Sequence, residues 1–184
     1  MNQAASEMSL EATAEPAMRI LMAGSCPSLS GLSEISFFVG VPVGSQDVSD
    51  TCFRIAGNSS SGKYNGKWVS IATIERCLAK IPPEQTFSVS ALKPIYLNGS
   101  ANSHGFLGSI LLHYQVIARA PEGQSYVRHT ATAFWEKVKG LIGSGVDLKS
   151  ASMAQDEAHI VVPVFKTTKA GKKAGRPIGS GTNA

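Results

Sequence analysis

Ser88–His129 reads SVSALKPIYLNGSANSHGFLGSILLHYQVIARAPEGQSYVRH. How this stretch is parsed decides the fold. Leu92, Ile95 and Tyr96 share one side of a short helix over Ala91–Tyr96, in which Pro94 is tolerated only near the first turn. Asn98-Gly99 is a strong turn signal. Asn102 or Ser100 is placed to cap the next helix, with Phe106, Leu107, Ile110 and Leu111 as its buried stripe. Gly105 and Gly108 each weaken that helix by about 1 kcal/mol relative to Ala, which is acceptable where something packs closely against the helix backbone. Val116–Arg119 and Tyr126–His129 then read as two strands around Pro121-Glu122-Gly123.

Helix, turn, helix and hairpin in that order form the layout of a helix-turn-helix with a wing. In that layout the polar start of the second helix meets base edges, while its apolar side stays in the core. Asn102, Ser103 and His104 are the candidate contacts there, and Arg119 and Arg128 the candidate wing contacts. Asn pairs bidentately with adenine, and Ser bonds either way. Few charges accompany them, so this unit needs help to hold a duplex.

Upstream, Ile35–Val41 is rich in β-branched and aromatic residues, and Thr51–Ala56 alternates with a period of two. Both read as strands, and Arg19–Ala23 is a further strand candidate, followed by a Ser/Gly/Pro loop over Gly24–Gly31. Gly57–Gly66 is a hairpin loop that leads into a strand at Trp68 and Val69. Ser70 caps an amphipathic helix over Ile71–Lys80, which Pro82-Pro83 ends. Downstream, Thr130 or Thr132 caps a last helix that turns Phe134, Trp135, Val138 and Leu141 inward. His159–Phe165 (HIVVPVF) is strand-prone, but its Pro163 suits only an edge strand.

The expected architecture is therefore α+β. A small antiparallel β platform with a helix (18–81) is followed by a winged-helix-like half (82–142), with a linker and edge strand over 143–165. Residues 1–17 form an acidic leader and residues 166–184 a basic tail, both expected to be disordered. In the 184 residues, 43% are hydrophobic and 16% charged, which fits a globular core. No apolar run is long enough for a membrane span. Three widely spaced cysteines, Cys26, Cys52 and Cys77, suggest a reducing, cytoplasmic setting rather than a disulfide framework. Enzyme motifs are missing. Gly24–Gly31 lacks the Lys and spacing of a phosphate loop, and no Gly-x-Ser-x-Gly elbow occurs. The cysteines and histidines show no ligand spacing, so neither metal nor other cofactor is expected.

The net charge of +4 is unevenly distributed. The leader carries Glu7, Glu11 and Glu15, whereas the tail carries Lys166, Lys169, Lys172, Lys173 and Arg176 without an acid. Within the tail, Lys172-Lys173 precede Gly175-Arg176-Pro177. This core resembles an AT-hook, as in the Gly-Arg-Pro tails of bacterial nucleoid-associated proteins. The resemblance implies an extended segment lying in a narrow A·T minor groove, where Arg is drawn by negative potential. Ile178 stands where the fuller pattern has another basic residue. Ser28–Gly31, Asn58–Gly62, Trp68-Val69, and Asn102 with Gly105-Phe106-Leu107 together resemble uncharacterised proteins of phages, plasmids and integrative elements. That resemblance spans roughly residues 19–140 and implies a mobile-element origin. The sequence thus points to a non-catalytic DNA-binding protein, acting in transcriptional control or DNA organisation and favouring A·T-rich duplex. The competing expectation is an accessory protein that binds and modulates another protein through an apolar platform around Phe37, Phe38 and Trp68.

Overall fold

In a computed structural model of the chain, residues 16–97 and 100–148 are described. All but residues 16–17 of the expected acidic leader, most of the linker, the expected His159–Phe165 strand and the basic tail lie outside them. The described residues form an α+β fold on one four-stranded antiparallel meander: β1 (Met18–Pro27), β2 (Glu34–Pro42), β3 (Cys52–Asn58) and β4 (Val69–Ser70), in that spatial order. Alternation sets the faces. Ile35, Phe37, Val39 and Val41 of β2 are buried, as are Phe53 and Ile55 of β3. Phe38 pairs in register with Arg54 on the opposite face, where the Arg54 guanidinium lies 5.8 Å from the Trp68 ring centre. Gly40 sits under Trp68, and a Cβ there would meet the Arg19 carbonyl oxygen at 2.6 Å. Phe37 therefore belongs to the core, and only Phe38 and Trp68 of the expected apolar platform remain half-buried on the outer face.

β1 is longer than the sequence suggests, running on through Cys26 and Pro27 where a loop was expected. A bulge between Ile20 and Met22 interrupts its register. Asp147 satisfies the bulge by accepting the Ile20 N–H at 3.1 Å, and the Arg19 guanidinium donates to the Ile142 carbonyl at 3.1 Å.

Helix α1 (Ile71–Leu78) starts where Ser70 predicts. The Ser70 hydroxyl accepts the Thr73 N–H at 3.2 Å, a cap worth about 1 kcal/mol. Ile71, Ile74 and Leu78 are buried, while Ala72, Glu75 and Arg76 face outward. The expected short helix is a 3-10 segment over Val89–Tyr96 capped by Ser88. Pro94 lacks an N–H and crowds the preceding turn, which favours the tighter winding. Helix α2 (Ser103–His113) packs on this segment and on β1, β2 and β3. An added Cβ on Gly108 would lie 2.2 Å from Val89 Cγ2, so the glycine permits that approach. Asn102 is the N-cap residue, but its side chain makes no capping bond.

Strands β5 (Ile117–Arg119) and β6 (Tyr126–Arg128) form the expected hairpin as a separate two-stranded sheet. Phe87 bridges to Tyr126 in both directions at 2.8 Å. Helix α3 (Thr132–Gly143) follows, but neither Thr130 nor Thr132 caps it. Ala131, with φ 49°, holds that position without a side-chain bond. Phe134, Val138 and Ile142 are its buried residues, with Trp135 and Leu141 only partly covered. The Phe134 ring stacks on Phe53 at 5.8 Å and meets Tyr114 at 4.4 Å, joining α3 to the sheet and to the end of α2.

Candidate nucleic-acid interface

The expected recognition helix is largely covered, and its exposed residues carry no fixed positive charge. Ser103 and Leu107–Leu111 are buried, and only His104, Gly105, Phe106, Leu112 and His113 retain appreciable exposure. A helix that is apolar nearly all round belongs to the core, and α2 is the central helix of this one. Among the described residues a 3-10 segment, a helix and a hairpin follow one another in the expected order, but the helix is turned into the protein.

The proposed base contacts accordingly separate. Ser103 is fully buried, and its hydroxyl accepts the Asn65 N–H at 2.8 Å. The neighbouring Ser100 hydroxyl donates to the Lys63 carbonyl. These two serines fasten the Gly57–Gly66 loop to the start of α2, a structural role in place of the expected one. Asn102 is exposed at the same corner, and His104 is partly exposed. Burial, with Lys93 second, holds the His104 imidazole below its ordinary pKa. Asn102 and His104 line a shallow cavity of about 240 Å³ with Ser28, Leu29 and Ser30. Arg119 is also drawn to this turn, donating to the Leu29 carbonyl at 3.5 Å while lying over the Tyr126 ring at 5.8 Å. The fold thus gathers Asn102, His104 and Arg119 around one surface turn.

Arg128 does not serve as a wing contact. Its guanidinium donates to the Leu78 carbonyl and, at 2.7 Å, to the Ile81 carbonyl. It thereby adds a second donor to the Leu78 carbonyl, which also accepts the Ile81 N–H at 2.9 Å, and ties the hairpin to the turn that follows α1. Lys172, Lys173, Gly175, Arg176 and Pro177 lie outside the described residues.

A basic surface that the sequence reading overlooked lies on the other side of α1. There, a groove of about 310 Å³ runs between α1 and the 3-10 segment, lined by Thr73, Arg76, Cys77, Lys80, Pro94 and Ile95. None of these six residues is acidic. Glu75 instead lines a separate cavity of about 450 Å³ beside Arg128 and Trp135. The Lys67 ammonium sits at the groove, donating to the Ile95 carbonyl and lying 5.4 Å from the Tyr96 ring centre. Lys93 is exposed beside Pro94. Arg76 and Lys80 thus line one wall, and Lys67 bonds to the carbonyl of Ile95 on the other, with Cys77 and Pro94 between them. The signal in the sequence was the pair Arg76 and Lys80, four residues apart and opposite the Ile71, Ile74 and Leu78 stripe.

Among the described residues, no helix is long and apolar enough to cross a membrane, and no group of three or more His, Cys, Asp or Glu could hold a metal ion. Comparison with protein families, with curated proteins and with solved structures returns no match to this chain.

Proposed function

We propose that the protein is a non-catalytic DNA-binding protein that grips the phosphate backbone through the groove between α1 and the 3-10 segment. The Gly175-Arg176-Pro177 tail with Lys172 and Lys173 adds an A·T minor-groove contact. The supporting observation is the groove itself, with Arg76 and Lys80 among its lining, Lys67 bonded to the carbonyl of the lining residue Ile95, and no carboxylate among the lining residues. Such a surface positions a polyanion without reading sequence. Any preference for A·T then rests on the tail, where Arg176 meets the potential of a narrow minor groove. Transcriptional control or DNA organisation on a mobile element is the setting this reading favours.

Fluorescence anisotropy with A·T-rich and G·C-rich duplexes over a salt series tests both parts. Replacing Arg76 and Lys80 with Ala together is expected to weaken binding to both duplexes and to reduce the salt slope by about 2. Arg176→Ala is expected to remove the A·T preference while leaving the remaining affinity largely in place. Unchanged binding by the Arg76/Lys80 double variant would remove the groove from the interface. No binding at low salt by the full chain would overturn the DNA reading. The half-buried Phe38 and Trp68 on the outer sheet face, with Arg54 above the indole, support the second reading, a surface for a protein partner.

A further inference from the structure

Among the described residues, β1 pairs only with β2, which leaves the other side of a ten-residue strand as an edge of the sheet. Long open edges invite further pairing, and proteins cover or blunt them. Here the Asp147 side chain occupies the edge at Ile20, and Ala23, Gly24 and Ser25 are exposed beyond it. One cavity is lined by residues of this strand, and a second is lined by Tyr114, whose hydroxyl reaches towards Met22 of the strand. The first, of about 210 Å³, is lined by Cys26, Leu29, Ser109 and Leu112. The second, of about 310 Å³, lies by Tyr114, Ala131 and Phe134, and the Tyr114 hydroxyl is 4.0 Å from Met22 Sδ. His113 lines both. An open strand edge with pockets beside it is the geometry that accepts an added strand. Main-chain bonds hold such a strand, and alternate side chains enter the pockets.

We infer that His159–Phe165 of this same chain pairs with β1 along Met22–Pro27 as a fifth strand and places alternate apolar side chains over the two cavities. The segment HIVVPVF has five β-branched or aromatic residues, Ile160, Val161, Val162, Val164 and Phe165. Pro163 can donate no ladder bond and is accommodated only in an outermost strand with its nitrogen facing away from the sheet, which is the position offered here. The connection is adequate. Asp147 already lies against β1, and residues 149–158 can bridge up to about 36 Å when extended. Met22–Pro27 spans only about 17 Å. A tethered segment is present at an effective concentration in the millimolar range, which favours it over the same strand from another molecule. The inference does not depend on DNA binding.

Hydrogen exchange of the full chain, followed by mass spectrometry, tests it. Amides of Met22–Cys26 that point away from β2 are expected to exchange slowly in the wild type. In Val162→Pro, which removes a donor in mid-segment, they should exchange at least tenfold faster while the Phe53–Ile55 amides of β3 keep their protection. Fast exchange in both proteins, or equal protection in both, overturns the pairing. Protection that rises with protein concentration assigns the edge to a second copy of the chain and overturns the intrachain form.

Discussion

Helices α1 and α2 are neighbours in the sequence, yet they present opposite surfaces. In α1 the buried residues Ile71, Ile74 and Leu78 follow a single stripe, so half the helix faces out and carries Arg76. In α2 the buried set includes Ser103, Leu107, Gly108, Ser109, Ile110 and Leu111, and the polar residues among them are small. A stripe leaves a surface free to carry charge, whereas a helix apolar on all sides becomes part of the core wherever it falls in the chain. The lesson for this protein is that the helix in the position of a reader is the scaffold, and the helix before it carries the basic surface.

The strongest way to break this contrast is truncation. Leu107→Ala or Ile110→Ala is expected to cost about 2–5 kcal/mol in chemical denaturation, as large-to-small changes in a packed core do. Arg76→Ala or Lys80→Ala should stay within about 0.5 kcal/mol of wild type. Similar losses at both helices would mean that α1 is equally structural. Glycines sharpen the comparison within α2. Gly108→Ala drives a methyl into Val89 and is expected to destabilise by about 1–3 kcal/mol. At Gly105 nothing lies within 4 Å of an added Cβ, so Gly105→Ala should stabilise by up to about 1 kcal/mol. A third measurement reads the groove directly. Burial, with Glu34 and Asp50 respectively adding to it, pushes the Cys26 and Cys52 thiols up to about 11. Both should therefore alkylate slowly near neutral pH. Cys77 lines the groove and is only half-buried. It should label first with iodoacetamide, and saturating duplex should slow its labelling several-fold. Labelling indifferent to DNA would separate the groove from the binding surface.

The smallest expected effect concerns pH. Desolvation holds His104 below its ordinary pKa in the folded protein, so in the window from about 6.5 downward the unfolded chain binds more protons at this residue. Its contribution to stability is therefore lost as pH falls through that window and is constant above it. His104→Gln should flatten the acid side of a stability–pH profile. An unchanged profile would show that the histidine is as well solvated folded as unfolded.

Much of the fold was legible in particular residues. Alternation in Thr51–Ala56, the Ser70 cap with its apolar stripe, and the Pro-Glu-Gly hairpin each specify local structure through short-range sterics and periodicity, and each appears. The orientation of α2 was not legible from the stripe Phe106, Leu107, Ile110 and Leu111. It follows from what is missing opposite that stripe, since Gly105, Gly108 and Ser109 supply no charged face. The role of Arg128 was hidden for a different reason. An arginine that donates to carbonyls some fifty residues away has no local signature, and a basic residue on a hairpin looks the same whether it faces phosphate or a helix end. Ser103 was misread likewise, because a polar residue at a helix start can point outward or fasten a distant loop. The α1 groove depends on two segments meeting, so only the Arg76 and Lys80 half of it was visible in advance.

The paired contacts of Arg19 with Ile142 and of Ile20 with Asp147 have a consequence for the charged flanks. They bring the first and last described elements to one corner, so the segments before residue 16 and after residue 148 depart from neighbouring points. One segment holds Glu7, Glu11 and Glu15, and the other holds Lys166, Lys169, Lys172, Lys173 and Arg176. Under the proposed DNA-binding reading, the acidic leader would compete with DNA for the cations of the tail. Chains lacking residues 1–15 should bind duplex more tightly at low salt, and the gain should vanish as added salt screens both flanks.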